Sequence, residues 1–147
     1  HHPEVKSLRD ANYELLDEVR GEVSKEDALR AHYVIGEKER VMEVSAALEK
    51  EDYEEVGKKM YETHDGLSRE YEVSCPELDF LVDVARDCGV SGARVMGGGF
   101  GGCTINLVSQ ELYANFIDKA RKSYQEKFGK APIVIDVVIG DGARKLC

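Results

Sequence analysis

From position 24 the chain carries two long stretches in which apolar residues return every three or four positions among Glu and Lys, the spacing that lines one face of a helix. Ser24 with Asp27 three residues on has the form of a capping box, in which a hydroxyl and a carboxylate satisfy free amides of a first helical turn. The stripe Ala31, Val34, Val41, Val44 and Leu48, interrupted by Lys38, predicts a long helix behind that cap with those residues inward. Asp52 with Glu55 starts a second helix, and Val56, Met60, His64 and Leu67 fall on one of its faces. Upstream, Leu8 to Val19 predicts a shorter helix before Gly21. Ser74-Cys75-Pro76-Glu77 combines a cap, a first-turn proline and an acid, and Leu78, Leu81, Val82 and Ala85 mark the buried face of a helix that Gly89 ends.

After Gly92 the helical period gives way to short apolar runs bounded by glycine, which read as strands. Arg94 to Met96 is one and Cys103 to Val108 another, with Cys103, Ile105 and Leu107 alternating against Thr104, Asn106 and Val108. Glu111 to Phe128 predicts a last amphipathic helix burying Leu112, Phe116, Ile117, Ala120 and Tyr124 and closed by Gly129. Past Pro132, the almost wholly apolar run Ile133 to Ile139 predicts a strand inside the sheet. Strand, strand, helix, strand fits an α+β fold, a ferredoxin-like split β-α-β sandwich whose small antiparallel sheet packs against helices. No internal repeat and no long linker divides the chain, so one domain is expected, helical over about 8–70 and α+β over about 74–147.

Composition narrows the function. Among 147 residues, 29 Asp and Glu outweigh 20 Lys and Arg, for a net charge of −9. Such a chain, with no basic run, repels a phosphate backbone, so a nucleic-acid partner is not expected. No apolar run approaches the roughly 18 residues of a membrane-spanning helix, and no leader-like segment opens the sequence; a cytoplasmic protein with no membrane partner is expected. Cys75, Cys88, Cys103 and Cys147 lack zinc-like spacing and read as reduced thiols. His1-His2 reads as the remnant of a purification tag.

The feature that propensity does not explain is the run Gly97-Gly98-Gly99-Phe100-Gly101-Gly102 between the first two strands. Glycine costs roughly 0.5–1 kcal/mol relative to alanine in regular structure, so this density points to backbone geometry that a side chain forbids, or to close approach by something else. Gly97, Gly99 and Gly102 satisfy G-x-G-x-x-G, but a dinucleotide fingerprint must open a helix and this loop leads into a strand. No Gly-Lys-Ser/Thr follows, which excludes a Walker loop. Two readings survive: a structural hairpin, or an anion-binding nest of backbone amides close to phosphate. Elsewhere the bland account is preferred. His64 reads as a hydrogen-bonded core histidine, His32 has no acidic or cysteine partner nearby in sequence, and Cys103 reads as a small buried thiol. Glu49, Glu51, Asp52, Glu54 and Glu55 match no calcium loop and read as a solvated helix junction, with Tyr33, Tyr53 and Tyr61 as amphipathic rim residues.

The twelve residues Gly92 to Cys103, running Gly-Ala-Arg-Val-Met-Gly-Gly-Gly-Phe-Gly-Gly-Cys, closely resemble the third signature of the galactokinases, within the GHMP superfamily of small-molecule kinases. Ser74-Cys75-Pro76-Glu77-Leu78-Asp79, its spacing to the loop, and the helix from His32 to Leu48 resemble the same family, and the likeness runs from about Leu8 onward. Met96 departs from it, standing where the family commonly has threonine, which puts a hydroxyl contact there in doubt while leaving a backbone role intact. The resemblance implies the C-terminal domain of a kinase that uses ATP and Mg²⁺ to phosphorylate the anomeric hydroxyl of galactose. It places Gly97, Gly98, Gly99, Phe100, Gly101 and Gly102 near the ATP phosphates. The sugar signature, the Ser-rich phosphate loop and the Asp and Arg beside the reacting hydroxyl belong to the family's amino-terminal half, and none of those motifs occurs here. No catalytic residue, no metal ligand and no tightly bound cofactor is therefore expected in this chain. The partners implied are that amino-terminal domain and a sugar, with a homodimer through the interdomain surface as a further expectation. Two alternatives stay open: a sister kinase acting on another sugar, and a non-enzymatic ligand-sensing module.

Overall fold

The computed structural model describes residues 2–142, so Cys147 and the last residues of the expected α+β part lie outside the described residues. Five helices and one hairpin follow in the order α1 (Tyr13–Val19), α2 (Lys25–Glu49), α3 (Tyr53–Arg69), α4 (Pro76–Asp87), β1 (Gly92–Met96), β2 (Cys103–Leu107) and α5 (Gln110–Phe128). Each long helix starts where its cap chemistry lies. The Ser24 hydroxyl accepts from the Asp27 amide, and Asp52 and Ser109 do the same for Glu55 and Leu112. Pro76 occupies the first turn of α4, and Gly129, with φ of 72°, ends α5 in the left-handed region. The first helix begins later than Leu8. Asp10 draws the amides of Lys6 and Ser7 into a turn, and Asn12 then caps the Leu15 amide, so the chain before Tyr13 is committed to side-chain hydrogen bonds.

The inward face of α2 differs from the expected stripe. Ala28, Tyr33, Ile35, Gly36 and Ala47 are buried, whereas Val41 and Leu48 are exposed. Its neighbour decides this: the Tyr33 ring lies against Gly66 of α3, where a Cβ would stand 2.4 Å from it. Tyr33 is thus a core residue and not a rim residue, and burial raises the pKa of its phenol. Thr63 of α3 donates to Glu37 of α2, and Lys59 reaches Glu43 at 2.8 Å, tying the two helices.

β1 and β2 pair antiparallel from Gly92 opposite Leu107 to Met96 opposite Cys103. At Gly92 the strand meets α3 backbone to backbone, since a Cβ there would lie 2.4 Å from the Gly57 Cα. The next residue, Ala93, belongs to the core of Val82, Val84, Ala85, Val90, Phe116 and Ala120 contributed largely by α4 and α5. Because successive residues point to opposite faces, β1 is covered on both sides where it begins. The run Ile133 to Ile139 does not join this sheet. It has no strand pairing, and Ile133, Ile135, Val137, Val138 and Ile139 are all exposed. An apolar run sets extended conformation at most, and pairing depends on where the tertiary fold carries the run; the sheet among the described residues has two strands only.

Candidate functional site

The glycine loop closes the hairpin beyond the Met96–Cys103 pair. Gly97, Gly99, Phe100 and Gly101 all have positive φ, at 72°, 82°, 57° and 96°. For Phe100 that conformation is costly, and it is held by a hydrogen bond from its amide to the Val73 carbonyl at 2.8 Å while the ring stands 81% exposed. Gly99 lies against the same carbonyl: a Cβ there would come within 2.1 Å of the Val73 oxygen. Gly98 has no such explanation. Its φ is not positive and nothing lies within 4 Å of the place its Cβ would take. Among the described residues no turn or loop hydrogen bond is made by the amides of Gly97, Gly98, Gly99 or Gly101.

The floor of the loop is the connection between α3 and α4. Tyr71 donates to Gly66 and Val73 to Leu67, both from the backbone at 2.9 Å, so this connection is tied to the last turn of α3. Ser74, expected to cap α4, does not: Cys75 is the capping residue and makes no side-chain cap bond, while the Ser74 hydroxyl donates to Asp79 at 2.5 Å. Buried His64 places Nε2 3.3 Å from Asp79, and its Nδ1 has no partner. Desolvation lowers the His64 pKa, opposed by the Asp79 charge. His32, which has no partner near it in sequence, meets Glu70 at 2.8 Å and packs its ring against Tyr13, with 5.0 Å between centroids. Cys103, expected to be buried, is exposed, because it stands at the loop end of the hairpin, away from the buried start of β1.

Two clefts lie away from the loop. One of about 670 Å³ runs between the start of α3 and Arg86, lined by acids such as Glu55, Glu62 and Asp65, and an apolar groove of about 560 Å³ runs between α1 and α2. Neither includes a loop residue. No group of three or more His, Cys, Asp or Glu able to hold a metal ion occurs among the described residues, and no described helix is long and apolar enough to cross a membrane. The loop is anchored on Val73 and open around Gly97, Gly98 and Gly101. The loop is visible in the sequence by its glycine density; Val73 is not, and Asp79 is visible there only as part of the Ser74–Asp79 motif, because contacts across about twenty residues or more leave no periodic trace.

The family model described as GHMP kinases C terminal matches residues 44–126, and the chain belongs to that family. It is 43% identical over 143 residues to the galactokinase of Homo sapiens, covering 97% of this chain and 36% of that protein, and 38% identical to the galactokinase of Thermotoga maritima, covering 97% and 40%. A crystal structure of Lactococcus lactis galactokinase complexed with galactose superposes with a TM-score of 0.80 at 29% identity, over 86% of this chain and 33% of that one. The chain thus spans little more than a third of the length of the curated relatives it matches.

Proposed function

We propose that this chain is the C-terminal domain of a cytoplasmic galactokinase and that its glycine loop forms one wall of the ATP site. The observation that carries the reading is the run of amides at Gly97, Gly98, Gly99 and Gly101 that make no loop hydrogen bond, with open space beside Gly97, Gly98 and Gly101. A polyanion can approach such a backbone closely, and oriented amides would stabilise charge on phosphate oxygens. Phe100 and Gly99 anchor the loop on Val73, so the open glycines are presented by a fixed base. ATP supplies the phosphoryl group, and the chain's own residues position and neutralise it. This reading assigns Mg²⁺, which is held by one or two carboxylates together with substrate phosphates, to the nucleotide and the amino-terminal half. The same half supplies the sugar contacts, since transfer requires nucleotide, metal and acceptor hydroxyl held in line.

The test is kinetic and uses the full-length kinase. Gly98→Val adds a side chain into empty space, so it should leave the melting temperature in place while raising the KM for ATP by about tenfold. An unaltered KM for ATP in a folded variant would reduce the loop to a hairpin. The isolated chain, incubated with ATP, Mg²⁺ and galactose, should give no sugar phosphate until the amino-terminal half is added, and turnover by the chain alone would overturn the assignment. Replacing galactose by other sugars in the full-length assay separates this reading from a sister kinase.

A further inference from the structure

Asp79 lies in the first turns of α4, yet its carboxylate is not spent on that helix. One oxygen accepts the Ser74 hydroxyl at 2.5 Å and stands 3.3 Å from Nε2 of buried His64; the other accepts the Ser68 hydroxyl at 3.0 Å. Ser68 and His64 belong to α3, and Ser74 to the connection that follows it. A single side chain therefore fastens the end of α3, the connection and the start of α4 to one another.

What the connection carries makes this fastening matter. Val73, next to Ser74, accepts the Phe100 amide and lies so close beneath Gly99 that no side chain fits between them. The residue before it, Glu72, has φ of 57°, a conformation that persists only where the surroundings hold it. On its amino side the connection is held by backbone bonds to α3, and on its carboxyl side by the Ser74–Asp79 bond. A shift of the Val73 carbonyl moves the loop with it, because both the hydrogen bond and the contact at Gly99 are made to that one oxygen.

We infer that Asp79, acting through Ser74 and Val73, is a positioning residue for nucleotide binding: the Ser68–His64–Asp79–Ser74 cluster sets the height of the glycine loop. This rests on the loop lying against ATP phosphates. Asp79→Ala also takes from the buried His64 ring the one group near its Nε2, so part of its cost falls on the fold, whereas Ser74→Ala leaves the His64–Asp79 approach in place and reads the loop's placement by itself. Networks in which one acceptor serves several donors lose more than one contact when the acceptor goes, which is why Asp79 outweighs either serine.

In the full-length kinase, Asp79→Ala should raise the KM for ATP by about tenfold and Ser74→Ala by about threefold, with the KM for galactose within about twofold of the parent. Ser74→Thr, which keeps the hydroxyl, should recover most of the affinity lost in Ser74→Ala. Hydrogen exchange should quicken in the peptide covering 97–102 while α5 is unchanged. If Asp79→Ala and Ser74→Ala leave the KM for ATP unaltered while Gly98→Val raises it, the cluster has no part in positioning and the inference falls alone. If Gly98→Val also leaves it unaltered, the loop reading falls and takes the inference with it. A rise in both KM values together with faster exchange throughout the domain would make the cluster merely structural and likewise overturn the inference.

Discussion

Gly99 and Gly98 stand side by side and are glycine for different reasons. Gly99 combines a φ of 82° with the Val73 oxygen 2.1 Å from the would-be Cβ, so Gly99→Ala must distort the loop or push the connection away. We expect a loss of about 3 kcal/mol in a urea melt, where a cost below about 1 kcal/mol would mean that the connection yields freely. His64 makes its prediction through pH. Burial holds its pKa below the usual 6.5, so the unfolded chain binds the proton more readily than the folded one. Its contribution is therefore complete above about pH 6.5 and is lost as the pH falls through the depressed folded value. In melts from about pH 8 to pH 5, wild type should lose stability relative to His64→Gln as acid is added. A difference that stays constant across that range would show that His64 titrates alike in both states.

At the scale of elements, the crossing of α3 over β1 brings backbone against backbone. Gly57 has the Ser91 carbonyl oxygen 2.0 Å from where its Cβ would stand, and Gly92 faces the Gly57 backbone in return. Two glycines at matched positions let a helix lie directly on a strand, and Tyr61 one turn further along α3 donates to the Val90 carbonyl at 2.8 Å to fix the register. Neither neighbour of Gly57 in this contact is a flexible side chain that could move aside. Gly57→Ala should accordingly cost about 3–4 kcal/mol and lower the melting temperature steeply, whereas Gly21→Ala, with nothing within 4 Å, should change it little. Equal melting temperatures for the two variants would mean that α3 lifts away without penalty.

For the whole molecule, the exposed run from Ile133 to Ile139 is the clearest sign of a surface made to be covered. Five large aliphatic residues facing water over seven positions exceed what a soluble surface usually carries. Within this run, Asp136 is held to α5 by a hydrogen bond from the Tyr113 hydroxyl. The chain spans little more than a third of the length of its galactokinase relatives, and on the reading proposed above the rest of the kinase would cover this run. Amides of 133–139 should therefore exchange within seconds to minutes in the isolated chain and be protected by orders of magnitude in the full-length kinase. Equal exchange in both would show that the run stays open to water in the complete protein.

Features whose partners are neighbours along the chain are legible in the sequence alone. The caps at Ser24 and Asp52, the first-turn proline at Pro76, the glycine stop at Gly129, the hairpin and the density of its glycine loop all follow from local backbone chemistry, because the groups that satisfy one another lie within a few residues. The twelve-residue likeness around the loop is legible for the same reason. Features set by partners far along the chain are not. Which face of α2 turns inward depends on Gly66 accepting the Tyr33 ring, and whether 133–139 pairs with the sheet depends on where the fold carries that run. The floor of the loop depends on Val73 and Asp79 arriving beneath it from the α3–α4 connection and the helix that follows. Periodicity specifies that a residue is apolar and its element helical or extended; which surface it meets is a property of close packing, and only the tertiary structure decides it.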